Sequence, residues 1–246
     1  KRLERIAAHL ASKVSPDLKQ DAVRGAALAK VDLVSEMVGE FDDLQGIMGG
    51  IYARQKGESE IVAQAVAEHY LPTGPESEVP KTLAGGILSI ADKADALAGC
   101  FGLHMIPTGA QDPYALRRQA LGIVRTVWEH GLRFSLSNLL EAAFDAYQDV
   151  QWKLDKESVL SALHEFFAHR IRALCTGRGL ETRVVDAALG AGFDDIWAFE
   201  QRVQALDRFS REDDFDQAVL TFKRADNIIR KQGDQAGVDL RSEYRE

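Results

Sequence analysis

The run Pro107-Thr108-Gly109-Ala110-Gln111-Asp112-Pro113-Tyr114-Ala115-Leu116-Arg117-Arg118-Gln119-Ala120-Leu121-Gly122-Ile123-Val124-Arg125 decides the fold class: a Pro/Gly loop stops at a capped helix with two arginines near its start. Asp112 is placed to accept the unpartnered N–H groups of the turn that follows. Pro113 suits the first helical position, where its missing donor would have had no partner. Leu116, Ala120, Ile123 and Val127 recur at three- and four-residue spacing and mark a buried stripe, while Arg118 and Arg125 share another face. Spacing alone leaves open whether these arginines are solvated, pair with Glu129 or meet a partner. For Arg117, one position from the stripe, a further reading is that it buttresses an acidic residue inside the fold.

The same helical grammar extends in both directions. Upstream, helices are expected over about 1–14, 18–38, 51–56, 58–69 and 81–100. Val23, Ala26, Ala27, Val31, Val34 and Val38 point inward on the second, and 46–50 forms a turn. The segment 71–80, with three prolines and a glycine, reads as a loop. Downstream, helices are expected to about His130, from Ser135 or Ser137 through Tyr147, and over 158–174, 181–189, 194–208 and 213–232. The polar stretch 148–156 is the expected boundary between a domain over 1–150 and a smaller helical unit over 151–232. The polar tail 233–246 is expected to be disordered. No run alternates as a strand would, so the fold class is all-α.

Composition narrows the function classes. Of 246 residues, 46% are apolar and 28% charged, and no run of about 18 apolar residues occurs that could span a bilayer, so no membrane partner is expected. Cys100 and Cys175 lack metal-ligand spacing and read as reduced thiols in helices of a cytoplasmic protein. The chain starts at Lys1 inside a helical pattern and reads as a fragment. A net charge of −8 argues against indiscriminate nucleic-acid binding, yet local basic patches remain. One holds Arg117, Arg118, Arg125 and Arg133; another holds Lys223, Arg224, Arg230 and Lys231 against Asp226.

Catalytic constellations are sparse. His69, beside Glu68, and Asp92 in Ile90-Ala91-Asp92-Lys93-Ala94-Asp95 could supply two ligands to a divalent ion, but two are too few. This arrangement resembles the HD-domain phosphohydrolases, which also need an earlier histidine and an adjacent His-Asp pair. Glu36, Glu40, Asp42 and Asp43 stand upstream instead, and His9 has no suitable neighbour. His69 and Asp92 are thus degenerate HD-like positions, and no metal is expected. Gly190 and Gly192 follow a helix rather than a strand, which speaks against a nucleotide fingerprint.

Four stretches in order carry a resemblance: Leu33-Val34-Ser35-Glu36-Met37-Val38-Gly39-Glu40-Phe41-Asp42-Asp43-Leu44-Gln45-Gly46-Ile47-Met48-Gly49, Ala67-Glu68-His69-Tyr70-Leu71-Pro72, Ala91-Asp92-Lys93-Ala94-Asp95, and Pro107-Thr108-Gly109 with Asp112-Pro113-Tyr114-Ala115-Leu116-Arg117-Arg118. They are similar to the β subunit of bacterial heterotetrameric glycyl-tRNA synthetase, most closely over about 30–128. The resemblance implies a degenerate HD-like helical bundle, then a helical linker and the start of an anticodon-binding-like domain. It also implies a noncatalytic, tRNA-positioning role. The α subunit would be the partner that charges glycine tRNA using ATP, with no cofactor in this stretch and no DNA partner. Arg117, Arg118 and Arg125 are then the expected RNA-backbone contacts, followed by Lys93, Arg133, Lys223 and Arg224. The rivals are a metal-dependent HD-type phosphohydrolase and a scaffold that docks the α subunit without touching RNA. Asp226 departs from the small apolar residue more usual in the family.

Overall fold

A computed structural model describes residues 1–109 and 111–236, and among these it contains helices and no named strand. The chain is all-α. The first six helices are α1 (Arg2–Val14), α2 (Lys19–Leu28), α3 (Glu36–Glu40), α4 (Ile47–Gln55), α5 (Glu60–Glu68) and α6 (Leu83–Gly102). They are followed by α7 (Leu116–His130), α8 (Leu136–Asp145), α9 (Lys156–Gly177), α10 (Thr182–Gly190), α11 (Ile196–Phe209) and α12 (Phe215–Ala236).

Helix α6 is the axis of the bundle. Fifteen of its twenty residues are buried, because its sequence is apolar on nearly every side. Helices α1, α5, α7, α8 and α9 pack around it. The α7 stripe falls where its spacing places it: Leu116, Ala120, Ile123 and Val127 are fully buried against this axis.

Local chemistry sets the ends of these helices. Ser59, Thr82, Ser135 and Asp155 each accept a helix N–H through the side chain. Asp112 accepts from both Leu116 N (2.8 Å) and Arg117 N (3.0 Å). It therefore caps α7 as expected, but from three residues further out. Pro113 and Tyr114 form a turn, and Ala115 adopts the left-handed region (φ 53°) before the helix begins at Leu116. Pro113 is not the first helical residue.

The expected single helix over 18–38 is broken. α2 ends at Leu28, Lys30 is left-handed (φ 68°), Val31–Val34 forms a 3-10 turn, and α3 is short. The cause is Asp32, whose buried carboxylate accepts from Gly46 N (2.7 Å) and Gly49 N (3.1 Å) and so caps α4 from a distance. Turning Asp32 inward turns Val31 and Val34 outward, reversing their expected placement; Val38 is buried as expected. The expected turn at 46–50 is the start of α4. There Gly50 permits contact with α5, because an added Cβ would lie 2.8 Å from Ala63 O and from Ala67 Cβ.

Across the stretch 148–156, Lys153 N and Leu154 N donate to Gly102 O, and Trp152 stacks on Phe144. Helix α9 beyond it packs on α6, α7 and α8, within one buried apolar cluster that runs from Ile6 to Val203. Of the tail expected to be disordered, 237–246 lies outside the described residues; 233–236 continue the α12 backbone.

Candidate functional site

The four distinctive stretches of sequence meet at one open cleft of about 810 Å³. The 3-10 turn Asp42–Leu44 contributes Asp42 and Asp43, and the end of α5 leads into Tyr70, Pro72 and Thr73. Helix α6 adds Asp92 and Lys93. The segment leading into α7 adds Tyr114, the first turn of α7 adds Arg118, and Lys30 enters from just beyond the end of α2.

At this cleft the two residues considered as metal ligands, His69 and Asp92, are engaged by the chain itself. His69 is fully buried, with Nδ1 2.6 Å from Val66 O and its ring 3.9 Å from that of Tyr70. Burial pushes its pKa below the ordinary 6.5, outweighing the attraction of Asp92, so the ring is held neutral. Asp92 pairs with Lys30 Nζ at 2.7 Å. Tyr70 is pushed above its ordinary value by burial and by Asp92 and Asp32. Among the described residues no group of three His, Cys, Asp or Glu side chains is placed to hold a metal ion.

Lys93 is a correction to the surface reading of the basic residues. Its side chain is buried, and Nζ donates to Leu71 O (2.8 Å) and Ser89 Oγ (2.9 Å), with Tyr70 O (3.3 Å) and His69 O (3.4 Å) nearby. Burial pushes its pKa down to about 8. Gly122 on α7 makes room for the lysine stem, since a Cβ there would lie 2.7 Å from Lys93 Cε. This lysine fastens the Leu71-Pro72 corner to α6 and does not offer its amine to a ligand in solution.

The arginines separate in the same way. Arg125 is half-buried and donates to Gly74 O (2.8 Å) and Ser77 O (2.6 Å), clamping the 71–80 loop onto α7. It does not pair with Glu129. Arg117 donates to Gly109 O (2.7 Å) and approaches Gln111 O (3.4 Å), so it holds the preceding loop through carbonyls rather than an acidic residue. Arg133 pairs with Asp195 at 2.9 Å. Arg118 is exposed at the cleft and makes no hydrogen bond or ion pair among the described residues. Lys223 and Arg224 lie exposed on α12, where Asp226 pairs with Arg230 at 2.7 Å.

Sequence reasoning missed Lys30, Asp32 and Tyr114. Only Asp32 carried a usable signal: an acidic residue interrupting an apolar stripe, upstream of a glycine-led helix lacking its own cap.

With the four stretches joined at one site, similarity to known proteins becomes specific. The family described as "Glycyl-tRNA synthetase beta subunit" matches residues 1–190. The chain belongs to the glycyl-tRNA synthetase β-subunit family. A protein of Oleidesulfovibrio alaskensis named "Glycine--tRNA ligase beta subunit" is 62% identical over 235 residues, covering 96% of this chain and 34% of the relative. One of the same name from Solidesulfovibrio magneticus is 61% identical over 241 residues, covering 98% and 35%. The Lawsonia intracellularis protein of that name is 48% identical over 221 residues, covering 90% and 32%. The chain thus spans about a third of the length of the curated glycyl-tRNA synthetase β-subunit relatives it matches.

Proposed function

We propose that this chain is a noncatalytic, tRNA-positioning region of a glycine–tRNA ligase β subunit, with an HD-like bundle over 1–150 and a linker leading into an anticodon-binding-like domain over 151–232. Family membership carries the reading, and the cleft's one unengaged cation among the described residues, Arg118, is consistent with it. Glycine and ATP would be consumed on the catalytic α subunit. The contribution of this region is orientation, because holding a tRNA on a rigid surface turns a bimolecular encounter into a positioned one. Contacts to an A-form stem go mostly to phosphate and 2′-hydroxyl groups, which suits arginine on a helix. Lys223 and Arg224 are the second candidate contact.

The phosphohydrolase reading loses support, because Lys30 neutralises Asp92 and no third ligand joins His69 among the described residues. A docking role has one specific observation in its favour. Val31, Leu33, Val34, Met37, Phe41 and Ile47 are all exposed, an apolar band within one short stretch. Titration of the full-length protein with glycine tRNA at several salt concentrations separates the two. RNA contact through the cleft predicts a log–log salt slope that falls by about one when Arg118 becomes Ala; an unaltered slope and affinity both in Arg118→Ala and in Lys223→Ala with Arg224→Ala would leave the scaffold reading.

A further inference from the structure

The charges around the cleft do not all need a ligand. Lys30 and Asp92 satisfy one another, and Lys93 is occupied by carbonyls and Ser89. What remains is a guanidinium at Arg118, two exposed carboxylates at Asp42 and Asp43 with no ion pair among the described residues, and the ring of Tyr114, 49% exposed. A ligand that satisfies all three must carry an anion, a flat face and adjacent N–H donors. The volume, about 810 Å³, exceeds what an amino acid would fill and falls in the range of sites for larger small molecules.

A nucleotide has this set of features, and base identity follows from the carboxylates. Uracil offers one N–H between two carbonyls. Adenine and cytosine each place an amino group beside a ring-nitrogen acceptor, which a carboxylate repels. Guanine alone presents two adjacent donors, N1–H and N2–H, on its pairing edge. Carboxylates accept from base amino groups, aromatic rings stack on unpaired bases, and arginine holds phosphate. A paired stem shows no free base face, so the occupant must be unstacked.

We infer that the cleft between Asp42–Asp43, Tyr114 and Arg118 binds a single unstacked guanine nucleotide, the carboxylates accepting from the base edge, Tyr114 stacking on it and Arg118 holding the phosphate. This rests on the RNA-binding reading where the nucleotide belongs to an RNA, but a free mononucleotide offers the same groups.

The test uses the full-length protein and isothermal titration with GMP, UMP and single-stranded tetranucleotides with and without one guanosine. GMP is expected to bind at least about tenfold tighter than UMP, and Arg118→Ala to weaken GMP about tenfold. Asp42→Ala with Asp43→Ala is expected to erase the preference for guanine. These side chains are exposed, so an unchanged melting temperature certifies the fold. A guanosine tetranucleotide that outbinds GMP identifies RNA as the source, and equal binding identifies the free nucleotide. Equal affinity for GMP and UMP, no binding at about 10 mM, or indifference to Arg118→Ala overturns the inference. Glycine tRNA titrated in parallel keeps the two readings apart. Intact tRNA binding without a guanine preference sinks the cleft assignment alone, whereas loss of tRNA binding with retained GMP binding sinks the RNA reading alone.

Discussion

Replacing Arg125 by Ala is expected to loosen the 71–80 loop and to leave the cleft arginine unaffected. The guanidinium makes two charged hydrogen bonds, to Gly74 O at 2.8 Å and Ser77 O at 2.6 Å, across 51 and 48 residues of sequence. Hydrogen bonds to charged groups contribute about 1.5–3 kcal/mol each when buried. Arg125 is only half-buried and the freed carbonyls rehydrate, so the pair together stabilises the closed loop by about 1.5–3 kcal/mol. At about 1.4 kcal/mol per tenfold, amides in the segment should exchange about ten- to a hundredfold faster with deuterium. Gly74 N, which donates to Ser77 Oγ at 2.9 Å, is the most direct reporter. The assay is hydrogen exchange by mass spectrometry on the full-length protein, with Arg118→Ala as the control that leaves this segment unchanged. Unchanged exchange in Arg125→Ala together with lost tRNA affinity would refute the clamp and return Arg125 to the RNA-facing set.

Two pH effects and one packing effect follow from the same region. His69 is held below its ordinary 6.5 by burial, so under acid conditions the unfolded chain takes up the proton first; stability should fall as pH drops through 6.5, and His69→Asn should flatten that limb in chemical denaturation. Lys93 titrates at about 8 when folded against 10.5 when unfolded, so its contribution to stability rises with pH across that window, by about 3 kcal/mol at 1.36 kcal/mol per pH unit. Cys175, pushed up to about 11 by burial, acts in the opposite direction, so the Lys93 share is read as the difference from Lys93→Met. Gly122→Ala should cost about 1–3 kcal/mol in the same measurement, because the new Cβ lies 2.7 Å from a lysine stem that is itself buried.

The helical frame was legible because apolar periodicity and capping residues are local. Leu116, Ala120, Ile123 and Val127 are buried as their spacing requires, and Ser135 caps α8. The break after Leu28 was not legible, because it depends on Asp32 capping a helix fourteen residues away. At the site, residue types indicated basic patches but not their partners. Arg118 and Arg125 look equivalent on a helical wheel, yet the 71–80 loop offers carbonyls to Arg125 and not to Arg118. Lys93 reads as a surface charge until the Leu71 carbonyl is found at 2.8 Å. Such distinctions arise from chain segments that pass close in space without periodic trace in sequence.

The measurement that bears most directly on the cleft as an RNA-contacting site is photocrosslinking of glycine tRNA to the full-length protein, with the adducts mapped by mass spectrometry. Adducts at Tyr114 and within 41–45, lost on Arg118→Ala, are the predicted result; adducts confined to other parts of the protein, with none on the cleft, would contradict it.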